Sequence, residues 1–263
     1  MSEKCRYFQG AVVIMTGGAS GIGRTMATEM SRRGAILIIA DRQLELAQAL
    51  AAQLGKAEAW ELDVRDAAAV EALVHRVFQR HGRLDFMFNN AGIGILGPVR
   101  ETTLEDWQQT VDVNINGVIH GVLAAYAVMR EQGFGHIVNT ASMAGLVAGG
   151  KLAAYAASKH AVVGLSRSLE QETREENITV SVLCPGVINT PILEGGKFGR
   201  LISQPPQNAG QYAMDPEEFA RRTIDDIARK KPVIIHPVQW RIILWMSRLT
   251  PTLLNWLMRR RGM

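Results

Sequence analysis

The sequence predicts an α/β fold, a doubly wound parallel sheet of about seven strands with helices on both faces. A C-terminal amphipathic helical tail is expected to follow the sheet. Short apolar runs recur along the chain, and each is followed by a segment with helical spacing, which is typical of parallel strands buried on both faces. A glycine-rich turn, Thr16 to Gly23, separates the first apolar run from the first helical segment. This order is the one that doubly wound sheets show.

The first half of the chain supplies four of the predicted strands. They are Ala11–Met15, Ala35–Ala40, a weaker strand near Ala57–Leu62, and Leu84–Asn89. Helical spacing fills the intervals, over Gly21–Arg33, Leu44–Leu54 and Ala67–Arg80. Because each strand is followed by a helix, right-handed crossovers bring successive strands back parallel to one another.

The second half continues the alternation and then departs from it. We expect a long helix over Leu104–Gln132, a strand over His136–Thr140, a helix over Tyr155–Glu175 and a strand over Ile178–Leu183. Residues 187–214 are rich in glycine and proline and predict a long lid. Asp215 then caps a helix, and Pro232–His236 is the last predicted strand. Residues 1–237 are therefore interpreted as one doubly wound, Rossmann-type domain, and residues 238–263 as an apolar, basic helical extension.

Charge is distributed unevenly along the 263 residues. Residues 238–263 contain five arginines and no acid, which leaves 24 basic and 25 acidic residues elsewhere. The net charge of +4 therefore belongs to the tail, and no nucleic-acid-binding surface is expected. The two cysteines, Cys5 and Cys184, predict neither a disulfide framework nor a metal site. A cytoplasmic location is expected, because no signal peptide or membrane-spanning apolar run is seen.

The glycine-rich turn is a candidate phosphate site. Gly17, Gly21 and Gly23 lie between the first strand and first helix, where a phosphate can approach the backbone and meet the N–H groups of the helix. Asp41 ends the second strand and could accept both hydroxyls of an adenosine ribose, which favours NAD over NADP. The adjacent Arg42 could instead favour a 2′-phosphate, so NADP remains an alternative.

Tyr155 and Lys159 are candidate proton-transfer residues. They lie four positions apart on a predicted helix and so share one face. A nearby ammonium is expected to lower the pKa of the phenol. Ser142 follows the fifth strand and could bind the reacting oxygen, while Asn114, unfavourable inside a helix, predicts a local kink with a water relay to Lys159. Separately, each residue has an ordinary structural interpretation: a half-buried Tyr, a solvated Lys, a packing Asn.

With these residues assembled, the chain resembles the short-chain dehydrogenase/reductase family, strongly over residues 8–190 and loosely to about 236. The motifs that carry the resemblance occur in order: Thr16 with Gly17, Gly21 and Gly23; Asp63; Asn89-Asn90-Ala91-Gly92; Asn114; Ser142; Tyr155 with Lys159; and Pro185-Gly186 with Thr190. The resemblance implies that Asn114, Ser142, Tyr155 and Lys159 form a catalytic tetrad. Tyr155 would be the acid/base and Ser142 would orient the substrate oxygen.

The resemblance also implies a set of cofactor contacts. Asp63 and Val64 would contact adenine, Asn90 the adenosine ribose side, and Ile188 and Thr190 the nicotinamide amide. The expected cofactor-binding residues are Gly17, Ser20, Gly21, Ile22, Gly23, Asp41, Arg42, Asp63, Val64, Asn90, Ala91, Gly92, Tyr155, Lys159, Pro185, Gly186, Ile188 and Thr190.

The predicted activity is hydride transfer between NAD(H) and a secondary alcohol or ketone, with a lipophilic substrate favoured by the apolar residues of the lid. The alternatives are 3-oxoacyl-carrier-protein reduction and a nicotinamide-binding regulatory or scaffold protein. A homodimer or homotetramer is expected, although the tail departs from the family's usual C-terminal packing. Three interpretations of the tail stay open: it covers the pocket or a partner subunit, it makes peripheral contact with a membrane, or it finishes the core.

Overall fold

Nine strands are seen in the part of the chain that the structure describes, and seven of them build one parallel sheet. The structure is a computed structural model, and residues 7–147, 149–191, 199–202 and 213–252 are described. The strands are β1 (Val12–Thr16), β2 (Ile36–Asp41), β3 (Ala57–Glu61), β4 (Phe86–Asn89), β5 (Gly94–Leu96), β6 (Gly135–Thr140), β7 (Ile178–Pro185), β8 (Gly199–Leu201) and β9 (Val233–His236). The order β3-β2-β1-β4-β6-β7-β9 confirms the predicted doubly wound sheet.

Eight α-helices are seen in the described residues. They are α1 (Gly21–Arg32), α2 (Leu44–Leu54), α3 (Ala67–His81), α4 (Leu104–Val111), α5 (Gly117–Gln132), α6 (Ala153–Glu172), α7 (Pro216–Ala228) and α8 (Trp240–Leu249). Asp215 caps α7 as predicted, with its carboxylate accepting a hydrogen bond from the backbone N–H of Glu218 (2.9 Å). The helix α8 confirms that a helical segment follows the sheet.

The sheet separates two apolar layers. Along β1, Val12 and Ile14 face one layer, whereas Val13 and Met15 face the other. All four side chains are almost completely buried. This explains why the strand reads as a continuous apolar run, since a strand covered on both faces needs apolar residues at every position.

The predicted continuous helix over Leu104–Gln132 is interrupted. A π-helical turn over Asp112–Asn116 separates α4 from α5, at the position where Asn114 predicted a kink. By length and composition the combined segment could cross a membrane, although no membrane-spanning run was predicted from the sequence. Half of its most apolar window is nevertheless buried inside the protein, which is the ordinary situation of a core helix.

The described parts of the predicted lid pack on the rest of the molecule. Strand β8 pairs in parallel with β5, and Ile188 forms a bridge with Met214. The remainder of the predicted lid, residues 192–198 and 203–212, lies outside the described residues, as do residues 253–263 of the predicted tail.

Candidate active site

The loops that follow β1, β4 and β6 are joined at the carboxyl edge of the sheet. Thr16 Oγ1 accepts hydrogen bonds from the backbone N–H groups of Asn90 and Ala91 (3.0 and 3.1 Å). The Asn90 side-chain amide donates to the carbonyls of Thr16 and Gly17 (3.1 and 3.2 Å). Its oxygen accepts from Thr140 Oγ1 (3.3 Å). The neighbouring strand ends therefore fix the glycine-rich turn in place.

The glycine-rich turn forms a backbone cradle that side chains would fill. Gly17 has a φ of +61°, and a Cβ added to it would lie 2.8 Å from the Cα of Ala91. A Cβ on Gly23 would lie 2.6 Å from Asn90 Nδ2. Ser20 begins α1 without a side-chain capping hydrogen bond, so the first N–H groups of this helix face the turn. The cradle fits the pyrophosphate of a dinucleotide.

Asp41 lies under the same turn. It is 7% exposed, and its carboxylate accepts hydrogen bonds from the backbone N–H groups of Ala19 and Gln43, each at 3.0 Å. Arg42 is exposed. Asp41 thus reaches the expected adenosine end, and each carboxylate oxygen keeps a second lone pair for a ribose hydroxyl.

Asp63 forms an ion pair that the sequence did not predict. Arg65 Nη2 lies 2.6 Å from Asp63 Oδ2, and this hydrogen bond lowers the pKa of the Asp63 carboxyl. The adjacent Val64 is buried. A polar cleft of about 650 Å³ opens beside this pair, lined by Asp63, Arg65, Asp66, Asp112, Asn116 and His120. The cleft lies at the expected adenine end and includes neither Ser142 nor Tyr155.

The segment after β7 returns to the glycine-rich turn. The Gly186 N–H donates to the carbonyl of His236 (2.8 Å), and Ile188 is 4% exposed. The side chain of Thr190 lies 3.7 Å from the position of a Cβ on Gly21. The structure therefore brings the two predicted cofactor segments together. Within the described ranges, no group of three or more His, Cys, Asp or Glu side chains could hold a metal ion.

Ser142, Tyr155 and Lys159 meet where β6 and α6 come together. Ser142 follows β6, and Tyr155 lies in the first turn of α6. The Ser142 hydroxyl lies beside the Tyr155 phenol and lowers its pKa, and the Ser142 Oγ accepts a hydrogen bond from the Ala144 N–H (3.1 Å). Lys159 Nζ lies 5.7 Å from the centre of the Tyr155 ring. A proton donor, a hydroxyl and a cation thus lie within one small region.

The acid–base properties of this region depend mainly on burial. Burial raises the pKa of Tyr155, and the neighbouring Ser142 hydroxyl offsets part of this rise. Burial also lowers the pKa of Lys159 to about 8. In the protein alone the pKa of Tyr155 therefore lies above its usual value, because desolvation outweighs the contribution of Ser142. That Lys159 lowers the pKa of the phenol stays a prediction. At neutral pH these groups leave Tyr155 protonated.

Asn114 lies at the centre of the π-helical turn and is completely buried. Its Oδ1 accepts from the Ile93 N–H (2.9 Å), and its Nδ2 donates to the Ile93 carbonyl (3.0 Å) and to Ser158 Oγ (3.1 Å). Its Oδ1 and Lys159 Nζ each lie 3.3 Å from the position of a Cβ on Gly92. Asn114 and Lys159 therefore approach each other across a glycine. The water relay stays a prediction.

Several supporting residues were missed from the sequence. Lys159 Nζ donates to the Thr140 carbonyl (2.9 Å), and Ser158 is the hydroxyl partner of Asn114. A Cβ on Gly145 would lie 2.7 Å from the carbonyl carbon of Lys159. Thr140 and Ser158 are close in sequence to predicted site residues, and this was the only available signal. Gly145 gave none.

The fold and this arrangement define a dinucleotide-dependent oxidoreductase. A family model described as short chain dehydrogenase matches residues 11–197. The chain belongs to the short-chain dehydrogenase/reductase family and is an NAD(P)-dependent enzyme of that class.

Individual relatives agree with this assignment. The chain is 39% identical to levodione reductase of Leifsonia aquatica over 217 residues, covering 80% of this chain and 81% of the relative. It is 36% identical to meso-2,3-butanediol dehydrogenase of Serratia marcescens over 222 residues, covering 81% and 85%. Among solved structures, a short chain dehydrogenase/reductase from Burkholderia phymatum in complex with NAD superposes with a TM-score of 0.84, at 29% identity and 96% coverage of both chains.

Proposed function

We propose that the protein interconverts a secondary alcohol and a ketone, with Tyr155 as general acid/base and NAD(H) as cofactor. The observation that carries this proposal is the meeting of Ser142, Tyr155 and Lys159 near the loop that holds the glycine-rich turn. When bound, the nicotinamide ring supplies or accepts the hydride at C4. Ser142 binds the substrate oxygen, and Tyr155 exchanges a proton with that oxygen.

Lys159 supports Tyr155 in two ways in this proposal. Its ammonium stabilises negative charge as the phenol gives up its proton, and it would also hold the nicotinamide ribose. Asn114 fixes the loop at Ile93 through two hydrogen bonds and lies beside the ammonium. We infer that Asn114 supports the proton relay to Lys159.

The proposed cofactor is NAD rather than NADP. The buried carboxylate of Asp41 lies under the glycine-rich turn, where it would repel a 2′-phosphate. The neighbouring Arg42 is exposed, so its cation is free to turn towards solvent. The related Burkholderia phymatum structure contains NAD, which supports this preference. The proposed binding residues remain those that the sequence predicted.

The proposed substrate is lipophilic. Five partly buried apolar side chains pack against the same buried apolar cluster. They come from the loop after Ser142, the described end of the lid and α8, and are Leu146, Val147, Ile202, Trp240 and Leu244. An apolar substrate would bury its surface against such a wall. Turnover of small sugars in preference to hydrophobic ketones would contradict this assignment.

The carrier-protein alternative finds less support. It needs a basic docking patch near the lid, but two arginines that could contribute to such a patch are already paired. Arg200 lies 3.2 Å from Asp106, and Arg222 is paired with Glu218. The alternative of a scaffold that has lost catalysis is not supported by the family assignment or by the intact set of proton-transfer residues.

We further propose a homodimer or homotetramer with one domain over residues 1–237. Exposed apolar side chains on α4 and α5 favour subunit contact; Leu104 is 74% exposed and Leu123 is 62% exposed. The buried thiol of Cys184, whose pKa burial raises to about 12, suits a reducing, cytoplasmic compartment.

The central test is the Tyr155→Phe variant. We expect kcat to fall by about 10²- to 10⁴-fold, because the general acid is lost, while NAD still binds. Tyr126→Phe is the matched control, since Tyr126 hydrogen-bonds Glu176 (2.8 Å) away from the site and should keep full turnover. A Tyr155→Phe enzyme with near wild-type kcat would contradict the assigned base.

A further inference from the structure

We propose that helix α8 docks the protein on an anionic lipid surface. This proposal deepens the proposed function, because it assigns the place where a lipophilic substrate is collected. Ile242, Trp245 and Leu249 are 65%, 70% and 64% exposed. Spaced three and four residues apart, they form one apolar stripe along the helix, which we call the α8 stripe. Three large apolar side chains in a continuous exposed row indicate an interaction surface.

The opposite face of α8 is already occupied. Trp240 and Leu244 are partly buried and pack against the main apolar cluster of the protein. The α8 stripe therefore cannot turn inwards without removing these two side chains from the core. This fixes the orientation of the helix, with one apolar side on the protein and the other towards solvent.

The charges around the α8 stripe favour an anionic partner. Arg241 and Arg248 are exposed on this helix, and residues 238–263 contain five arginines and no acid. An amphipathic helix with arginines at its border and a tryptophan in its apolar face is typical of segments that lie in a membrane interface. The guanidinium groups can reach lipid phosphates while their stems stay in contact with the apolar layer.

A second copy of this helix is a poorer partner for the same surface. In a two-fold contact the same patch meets itself, so two stripes would bring Arg241 and Arg248 of both copies together. Because α8 carries no acidic residue, these like charges would repel each other without compensation from the paired helix. An anionic lipid surface satisfies both the apolar stripe and the arginines.

The helix is also in contact with the candidate active site. A Cβ added to Gly186 would lie 2.5 Å from Cδ1 of Trp240, so the first residue of α8 packs directly on the proposed nicotinamide-binding segment. Trp240 and Leu244 pack against the same buried apolar cluster as Leu146 and Ile202. A membrane bound at the outer side of α8 would therefore lie only one helix away from the proposed substrate wall.

The test is flotation of the full chain with vesicles, which needs no turnover. We expect binding to vesicles containing phosphatidylglycerol, and at least tenfold weaker binding to vesicles of phosphatidylcholine alone. The triple variant Ile242→Ser, Trp245→Ser, Leu249→Ser should bind at least about tenfold more weakly, because the buried apolar area is lost. The double variant Arg241→Glu, Arg248→Glu should weaken binding by about 20-fold or more.

Matched controls change similar side chains elsewhere. Leu46→Ser replaces an apolar residue that is 44% exposed on α2, and Lys56→Glu with Arg167→Glu reverses two exposed charges. These variants should float like the wild type. Circular dichroism establishes that each variant is folded. As a second measurement, Trp245→Phe should keep binding but show less quenching of tryptophan fluorescence by brominated lipid.

Specific results of the flotation experiment would contradict membrane docking through α8. Unchanged flotation of the folded triple variant would overturn the proposal, as would equal binding to neutral vesicles. Dissociation of a dimer by the triple variant, with flotation unchanged, would assign the α8 stripe to a second copy instead. The Tyr155→Phe variant should float normally, so failure of the oxidoreductase proposal would be distinguished from failure of this one.

Discussion

Lys159 places a charged group where solvation is poorest. The side chain is 3% exposed, and burial lowers its pKa from 10.5 to about 8. Its ammonium donates to the Thr140 carbonyl (2.9 Å), which compensates only part of the lost hydration. Near pH 7 the enzyme therefore keeps a buried cation that weakens its fold. Such a cost is typical of a residue retained for function.

We expect Lys159→Met to abolish efficient turnover yet stabilise the protein by about 2 kcal/mol near pH 7. Removing the desolvated charge increases the free energy of unfolding, and loss of the hydrogen bond to Thr140 offsets part of this gain. The pKa is lower in the folded state, so the unfolded chain binds more protons between about pH 8 and 10.5. The free energy of unfolding of the wild type therefore increases with pH over this range. The extra stability of the variant should disappear as the pH approaches the upper end of the range. Urea unfolding at several pH values measures this.

Lys56→Met is the appropriate comparison, since Lys56 is exposed at the end of α2. Its stability should stay within about 0.5 kcal/mol of wild type across the same pH range. If Lys159→Met proved less stable than wild type near neutral pH, the packing of the lysine stem would outweigh the desolvation of its charge.

Gly23 and Gly164 differ in the space available for a side chain, so their alanine variants can be compared directly. A Cβ on Gly23 would collide with the Asn90 amide, whereas a Cβ on Gly164, exposed in α6, meets no atom within 4 Å. We expect Gly23→Ala to lose NAD binding, and Gly164→Ala to gain about 0.5–1 kcal/mol of stability from its better helix propensity. Equilibrium dialysis and urea unfolding measure the two effects. Normal NAD affinity in Gly23→Ala would show that the turn does not hold the cofactor.

At the scale of elements, the pairing of β5 with β8 holds part of the predicted lid beside the site. Arg200 in β8 donates to the Glu101 carbonyl (2.9 Å) and lies 3.2 Å from Asp106 Oδ2. Asp106 itself belongs to the capping box of α4. One arginine therefore fastens β8 to the beginning of a helix.

Arg200→Ala should raise KM for the carbonyl substrate by about two- to fivefold and leave kcat nearly unchanged, because an exposed ion pair contributes at most about 1 kcal/mol. High salt should diminish the difference between variant and wild type. Arg222→Ala is the control, since its arginine is similarly exposed and paired with Glu218 on α7. Steady-state kinetics that show a fall in kcat alone would argue against a positioning role.

The elements differ in how far the sequence could predict them. The seven sheet strands were predicted because burial on both faces produces continuous apolar runs. Strand β5 was missed because it has three residues and pairs with β8 about a hundred positions away. The π-helical turn was anticipated only as a kink at Asn114, since its neighbours keep helical spacing.

The residues of the candidate site also differ in how far the sequence could predict them. Tyr155, Lys159 and the glycines were found because their chemistry needs fixed spacing along one element. The partners of Asn114, at Ile93 and Ser158, could not be found, because side-chain contacts between distant elements depend on the folded structure. The rise in the pKa of Tyr155 could not be predicted for a related reason, since desolvation is a property of the surroundings.

At the scale of the whole molecule, binding of the dinucleotide should be visible as stability. A ligand at 100 times its Kd adds about 2.7 kcal/mol to the free energy of unfolding, which for a chain of this size raises Tm by about 5 °C or more. Because Asp41 lies under the turn, we expect NAD to produce this shift and NADP to produce a much smaller one. Differential scanning calorimetry measures both.

The Asp41→Asn variant separates the charge of this residue from its structural contacts. Asparagine can still accept a hydrogen bond from the Ala19 N–H, so the turn should keep its shape, but a 2′-phosphate is no longer repelled. The thermal shift with NAD should fall and that with NADP should rise. The comparison uses shifts within each variant, since the substitution also changes the stability of the free protein. A larger shift with NADP in the wild type would mean that Arg42 outweighs Asp41 and would reverse the proposed cofactor preference.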